Sequence, residues 1–304
     1  MKTPTTCLAR TPVKFAAFFV FSCFPIILSA ADTDVSSKAS KEIVAPKISH
    51  IEKDGDRVTV SRGRFTDQSK PGTLKIEGIP FAKLKIKGTS SDEIVIVSEL
   101  DQKGRNRVDA EGFRRLDDFD TFDLVEKDNV AMIKLSQISL DEDMIPEFKI
   151  YLPWNTSLDI SANSRESQKI EIESIRGDLV VHGWPGKIEL DNLTGAILIA
   201  VNHSQKISIE FEETPTKPIS ISGGFKTPIE LELPSKAKAD LLLQTRSGKI
   251  RTNFSEKKLK LTEPDSKERA SELFLYQKAG KLNGGGVKIH LTTDEGSITI
   301  KEDD

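Results

Sequence analysis

The sequence predicts an all-β protein. Within that class it predicts a β-solenoid, parallel β-helix-like, with short strands at about nine-residue spacing and a smaller β region ahead of it. Three observations predict this. Residues 170–195 carry an apolar–x–apolar–x–x–apolar–x–Gly pattern three times, at a nine-residue period. The first apolar column is Ile170, Leu179, Ile188 and then Ile197, and the second is Ile172, Val181, Leu190 and Ile199. The third is Ile175, Trp184 and Leu193, followed two residues later by Gly177, Gly186 and Gly195. Outside the repeat, nearly every regular segment alternates apolar and polar residues with period two, as a half-buried strand does. Turn-forming Gly, Pro, Ser and Asp residues interrupt the chain at short intervals, and only one short helical element is expected in the whole body.

Two folds place strands every nine residues. An antiparallel meander puts glycine at hairpin tips, among polar residues. Here Ile175, Trp184 and Leu193 stand beside the turn, which suits a corner that points inward. The glycine two residues later is expected to supply the positive φ of that corner. Two nine-residue units then make one coil, so that Ile170 stacks on Ile188 and Leu179 on Ile197. A single unit cannot bury its own apolar face and depends on its neighbours.

In chain order, residues 1–30 read as a signal peptide. Lys2, Arg10 and Lys14 form a positive n-region, Phe15–Leu28 is almost wholly apolar, and Leu28-Ser29-Ala30 offers small residues for cleavage before Ala31. The apolar run is short and broken by Ser22 and Pro25, so it does not suit a membrane span. The mature chain is expected to be exported, to the periplasm or the cell surface, and not transmembrane after cleavage. Val20-Phe21-Ser22-Cys23 loosely resembles a lipoprotein cleavage box, so a lipid anchor at Cys23 stands as the lesser alternative. Both cysteines, Cys7 and Cys23, lie within the signal, which leaves a cleaved chain without disulfides or thiolate chemistry.

Residues 31–46 are Ser/Lys-rich and aperiodic, and read as a flexible linker. Residues 47–155 form an N-terminal β region. Its strand candidates are Arg57–Val60, Thr73–Glu77, Lys83–Lys87, Glu93–Ser98, Phe122–Val125, Val130–Leu135 and Phe148–Leu152. Between them, Leu100–Asp123 is a charged excursion with one helical turn near residues 111–116. Residues 156–304 form the solenoid repeat domain. It continues from the nine-residue units through Ile207–Phe211, Ile219–Ile221, Ile229–Leu233, Leu241–Leu243 and Lys249–Arg251. It closes with Leu273–Tyr276, Val287–Leu291 and Ser297–Ile300.

Several motifs in order resemble the bacterial putative-adhesin domain family. They are Gly72-Thr73-Leu74-Lys75-Ile76, Glu111-Gly112-Phe113-Arg114-Arg115-Leu116, Pro218-Ile219-Ser220-Ile221 and Ile229-Glu230-Leu231-Glu232-Leu233-Pro234. Ser247-Gly248-Lys249-Ile250, Leu282-Asn283-Gly284-Gly285-Gly286 and Gly296-Ser297-Ile298-Thr299-Ile300 follow. The resemblance covers Gly72 to Lys301. The turns depart from the family's Asn-Gly-Asp habit, reading Arg176-Gly177-Asp178, Pro185-Gly186-Lys187 and Thr194-Gly195-Ala196. The resemblance implies an extended β domain at the cell envelope and transfers no active-site residues.

Charge and chemistry narrow the function further. Lys and Arg number 44 against 47 Asp and Glu, for a net charge of −3, with both signs interspersed and no basic block. A nucleic-acid partner is therefore not expected. His50, His182, His203 and His290 lack metal-ligand spacing, and Asp54-Gly55-Asp56 and Asp141–Asp143 match no calcium loop. Asp117-Asp118, Asp141-Glu142-Asp143 and Glu212-Glu213 are adjacent pairs, and neighbours on a strand face opposite ways, which is the wrong geometry for acid/base catalysis. No catalytic residue, cofactor site or metal site is assigned. Trp154 and Trp184 are the aromatics that would face a bound sugar, although Trp184 falls in an apolar column and suits the core.

The expected function is a non-catalytic exported cell-envelope protein, an adhesin-like β-solenoid that acts as a binding or scaffold module. Its expected partner is an envelope polymer or another envelope protein, with self-association through a sheet edge of the last coil unless the acidic Glu302–Asp304 tail blunts it. The alternatives are a polysaccharide-active enzyme using surface carboxylates and a periplasmic regulator of envelope stress.

Overall fold

The computed structural model describes residues 47–53, 56–78, 83–100, 122–135, 147–167, 169–263 and 274–303. These fall within one compact unit that spans residues 43–304. The expected signal peptide, linker and helical turn at 111–116 lie outside the described residues. No helix long and apolar enough to cross a membrane occurs among the described residues.

The described chain is all-β. It opens with an antiparallel hairpin of β1 (Lys47–Lys53) and β2 (Asp56–Arg64). Then come β3 (Thr73–Glu77), β4 (Lys83–Thr89), β5 (Glu93–Leu100), β6 (Phe122–Lys127), β7 (Val130–Leu135) and β8 (Glu147–Pro153). The middle of the chain supplies β9 (Ser157–Ser167), β10 (Lys169–Glu173), β11 (Leu179–Pro185), β12 (Lys187–Asp191), β13 (Ile197–Val201) and β14 (Lys206–Glu210). It continues with β15 (Ile219–Gly223), β16 (Ile229–Pro234), β17 (Ala239–Thr245) and β18 (Ile250–Thr252). Last are β19 (Tyr276–Leu282), β20 (Val287–Thr293) and β21 (Ile298–Asp303).

These strands form two open mixed sheets. The first runs β1-β2-β5-β8-β4-β10-β12-β14-β16-β21-β18 and the second β19-β17-β20-β15-β13-β11-β9-β3-β7-β6. From β9 to β16 the chain alternates between the sheets, and each strand lies parallel to the one two steps earlier. Ile170 pairs with Ile188 and Leu179 with Ile197, the stacking the spacing implies. Alternation does the rest. Ile170, Ile172, Ile188, Leu190, Ile207 and Ile209 of the first sheet are buried, as are Leu179, Val181, Ile197 and Ile199 of the second. Each such side chain contributes about 1.5–3 kcal/mol of burial. Strands on both sides of residue 155 share the sheets, since β3 pairs with β9 and β4 with β10.

Sequence order and spatial order part at both ends of the stack. β7 and β8 follow β3 and β4 in sequence but lie outside them, so the chain returns past β3 and β4 to lay down β9 and β10 on their other side. At the far end β20 enters between β15 and β17, and β21 between β16 and β18. The last strand, β21, is therefore interior to its sheet, and the sheet edges at that end are β18 and β19. Glu302 of the β21 tail pairs with Lys258.

Two details of the corner differ from expectation. The positive φ falls on Ser174 (59°) and Asn192 (51°), not on Gly177, Gly186 or Gly195. Gly177 and Gly195 serve close approach instead: a Cβ on Gly177 would lie 2.1 Å from the carbonyl oxygen of Thr156. In the third column Ile175 and Leu193 are buried, but Trp184 is only half-buried and Pro185 takes the inward place. The cause is a register shift between Gly183 and Pro185 in β11, where Gly183 sits at φ 107°.

Another corner is closed by hydroxyls. The Ser204 amide donates to Thr227 Oγ1 (2.9 Å), Thr293 Oγ1 donates to the Thr227 carbonyl (2.8 Å), and Thr245 Oγ1 donates to the Gly296 carbonyl (3.0 Å). All four side chains are buried, and these bonds satisfy backbone groups that the turns remove from the ladders.

Candidate functional site

Parallel strands in register bring equivalent outward residues into columns across the first sheet. One column reads Lys149, Lys85, Glu171, Glu189, Ser208, Glu230. The next reads Tyr151, Lys87, Glu173, Asp191, Glu210, Glu232. Lys85 reaches Glu147 at 2.7 Å and Glu171 at 3.7 Å, Lys87 reaches Glu173 at 2.7 Å, Lys169 reaches Glu189 at 2.6 Å, and Lys206 reaches Glu230 at 2.9 Å. Lys187 also pairs with Glu189, and Lys301 with Glu230.

On β8, β4, β10 and β12 the two columns line an open groove of about 390 Å³, with Tyr151 at one end and Asp191 at the other. Tyr151 is 37% exposed, which leaves its ring available to a ligand. Sequence reasoning missed this tyrosine. The signal was its outward position in Phe148–Leu152, but facing is informative only once β8 is known to lie beside β4.

Carboxylates and ammonium groups do meet in this groove, so acid/base chemistry has a direct electrostatic test. A general acid needs a raised pKa. Partial burial pushes Glu189 up, but hydrogen bonds from Lys169 and Lys187 outweigh it and hold the carboxyl below its usual value. Glu210 is pushed up, first by desolvation and then by like charge on Glu232 and Asp191, but it lies beyond the groove. Of the carboxylate pairs suggested by sequence, Glu212 and Glu213 are exposed outside the groove, and Asp117-Asp118 and Asp141–Asp143 lie outside the described residues. Among the described residues no three His, Cys, Asp or Glu side chains are grouped to hold a metal.

The histidines are dispersed. His182 is 3.8 Å from Asp159, His203 Nδ1 bonds the Phe225 carbonyl at 2.8 Å, and His290 Nε2 bonds Gln244 Oε1 at 2.8 Å. Burial lowers the pKa of His290.

A second concavity, of about 190 Å³, lies at the corner after β8. Trp154 lines it and is 40% exposed, with the Arg176 guanidinium 4.2 Å from its ring centroid. One wall is the loop of residues 65–72 and the other the turn at Ser90–Asp92. The loop is pinned: the Asp67 amide donates to Asn129 Oδ1 (2.8 Å), and the Thr66 amide donates to Glu126 Oε1 (3.2 Å). A hydrogen bond from Ser69, then one from Lys70, holds the Asp67 carboxyl down to about 2. Of the two tryptophans suggested by sequence, Trp154 thus faces a cleft. Trp184 lines neither concavity.

No family model matches the chain, and no curated protein does. Among solved structures the chain is similar to a putative cell adhesion protein from Clostridium sporogenes, at 13% identity and a TM-score of 0.43, covering 85% of this chain and 100% of that one. It is similar to a putative adhesin from Bacteroides fragilis, at 10% identity and a TM-score of 0.28, covering 81% and 97%. It is also similar to a putative lipid binding protein from Parabacteroides distasonis, at 10% identity and a TM-score of 0.31, covering 81% and 97%.

Proposed function

We propose that this chain is an adhesin-like, non-catalytic module of the cell envelope, built as a two-sheet β-solenoid and exported by its N-terminal signal. It holds an envelope polymer against the outward columns of its first sheet. The observation that carries this reading is the register itself. In the sheet order β8-β4-β10-β12-β14-β16 every position of the two columns carries a polar or charged side chain, with Lys on β4 and Glu or Asp on β10 and β12, so an extended ligand lying across the strands meets a row of donors and then a row of acceptors. The open groove of about 390 Å³ that ends at Tyr151 lies on that flank. The Glu189 carboxyl, held low by Lys169 and Lys187, suits binding better than the role of a general acid.

The test is retention on isolated envelope fractions. The mature chain is expected to be retained, and the double variant Lys85→Glu, Lys87→Glu to elute about tenfold more readily. Full retention of a folded double variant, or none of the parent chain, overturns the reading. Mass spectrometry of the exported chain is expected to find Ala31 at its N-terminus.

A further inference from the structure

We propose that the Trp154 cleft is a saccharide subsite that takes one uncharged pyranose ring of the envelope polymer, an assignment that rests on the binding-module reading above. Four observations converge on it.

The first is the platform. Sugar rings present a face of C–H groups that packs on aromatic rings, and an indole offers the largest such surface. Trp154 is the more exposed tryptophan, and the Arg176 guanidinium, 4.2 Å from its ring centroid, stacks over one indole face, so a sugar would pack on the other. Its backbone is equally constrained, because its amide donates to the Thr89 carbonyl at 3.1 Å and its carbonyl accepts from the Arg176 amide at 2.6 Å.

The second is the polar lining. Asn155, Gln68, Ser91 and Asp92 stand around the indole. Amides and hydroxyls both donate and accept, as sugar hydroxyls do, so Asn155, Gln68 and Ser91 can each meet a hydroxyl in either orientation, while the Asp92 carboxylate accepts. The Ser91 oxygen accepts from the Glu93 amide at 3.1 Å, which leaves its own proton to give.

The third is charge. Lys70 and Asp92 both line the cleft, yet each already has an ionic partner: Lys70 meets Asp67 at 2.9 Å and Asp92 meets Arg64 at 3.6 Å. An anionic or cationic ligand would have to compete with those pairs. A neutral hydroxyl only adds to lone pairs and protons left over.

The fourth is size and rigidity. A volume of about 190 Å³ is below the roughly 300–1,000 Å³ of pockets for larger ligands, so it admits one ring rather than a chain. The wall at residues 65–72 is tied to Asn129 and Glu126, and its floor is set by Phe65 packed where any Cβ at Gly72 would collide at 2.5 Å.

The experiment uses the exported chain carrying Trp184→Phe, so that Trp154 is the single tryptophan reporting. Its fluorescence is titrated with neutral gluco-, manno- and N-acetylglucosamine oligosaccharides, and with an oligogalacturonate and a chitosan oligomer as charged controls. A saturable shift with a neutral oligosaccharide, about tenfold weaker binding by calorimetry after Asn155→Ala or Trp154→Ala with melting unchanged, and no binding of the charged oligomers are expected. No response to any neutral sugar, preference for a charged one, or unaltered affinity in folded Asn155→Ala and Trp154→Ala variants overturns the assignment. Retention of the same chain on envelope fractions separates the two failures. Retention without sugar binding sinks the subsite alone, and loss of both sinks the module reading as well.

Discussion

A Cβ built on Gly195 would lie 1.9 Å from the carbonyl oxygen of Gly177. The two residues are equivalent positions on adjacent turns of the stack, and the obstructing atom is backbone that cannot swing away. Gly195→Ala must therefore spread the corner. Its expected cost is about 3 kcal/mol, the upper end for overpacking, read as a lower urea midpoint with an unchanged slope. An unaltered midpoint would show that the corner yields freely.

Ser174 and Asn192 hold the left-handed conformation of that corner, at φ 59° and 51°. Asparagine adopts it several-fold more readily than most residues. Ser174→Asn is therefore expected to stabilise the chain by roughly 0.5–1 kcal/mol in the same titration. Destabilisation would mean that the serine side chain matters more than its backbone.

Leu190 and Leu198 lie on successive strands but face opposite ways, at 2% and 48% exposure. Leu190→Asp places a charge in the core and is expected to abolish cooperative melting. Leu198→Asp should shift stability by no more than about 0.5 kcal/mol. Circular dichroism melts of both variants check the inward and outward assignment together.

Acid acts on the two kinds of carboxyl in opposite senses. Asp67, Asp178, Glu189 and Glu230 have depressed values in the folded chain, so their contribution is present above their ordinary range and lost as pH falls through the depressed values. Glu210 is raised above its usual 4.5, so its ionised form weakens the fold at neutral pH. Glu210→Gln should raise the urea midpoint at pH 7, and the gain should vanish below pH 4.5. A gain that persists at low pH would point to packing rather than charge.

Removal of residues 283–304 deletes β20 and β21, and with them Ile289, Leu291, Ile298 and Ile300 from the core. β18 has β21 as its only strand partner among the described residues. Each lost aliphatic costs roughly 2–5 kcal/mol, and together they approach the whole of an ordinary domain's stability of about 5–15 kcal/mol. The truncated chain is expected to melt without cooperativity, and limited proteolysis should cut within β17 and β18.

Much of this architecture was legible locally. The Ile170 and Leu179 columns follow from a nine-residue spacing, because period two fixes which side chains face inward. Facing says nothing of neighbours, so the entry of β20 between β15 and β17 left no trace in the pattern. β9 escaped notice because only Leu158, Ile160 and Ala162 alternate within a polar segment. Trp184 was misplaced by one residue because Gly183 adds a shift that no apolar spacing records. The role of the corner glycines was misread because a backbone contact and a positive φ leave the same letter in the sequence. The Trp154 cleft was half visible: its tryptophan stood out, but its walls come from segments more than sixty residues upstream.

At the far end β20 and β21 are laid down between earlier strands, so a unit appended after β21 would find no free edge beside it. The uninterrupted middle from β11 to β14 is where a tandem copy would insert without disturbing that closure.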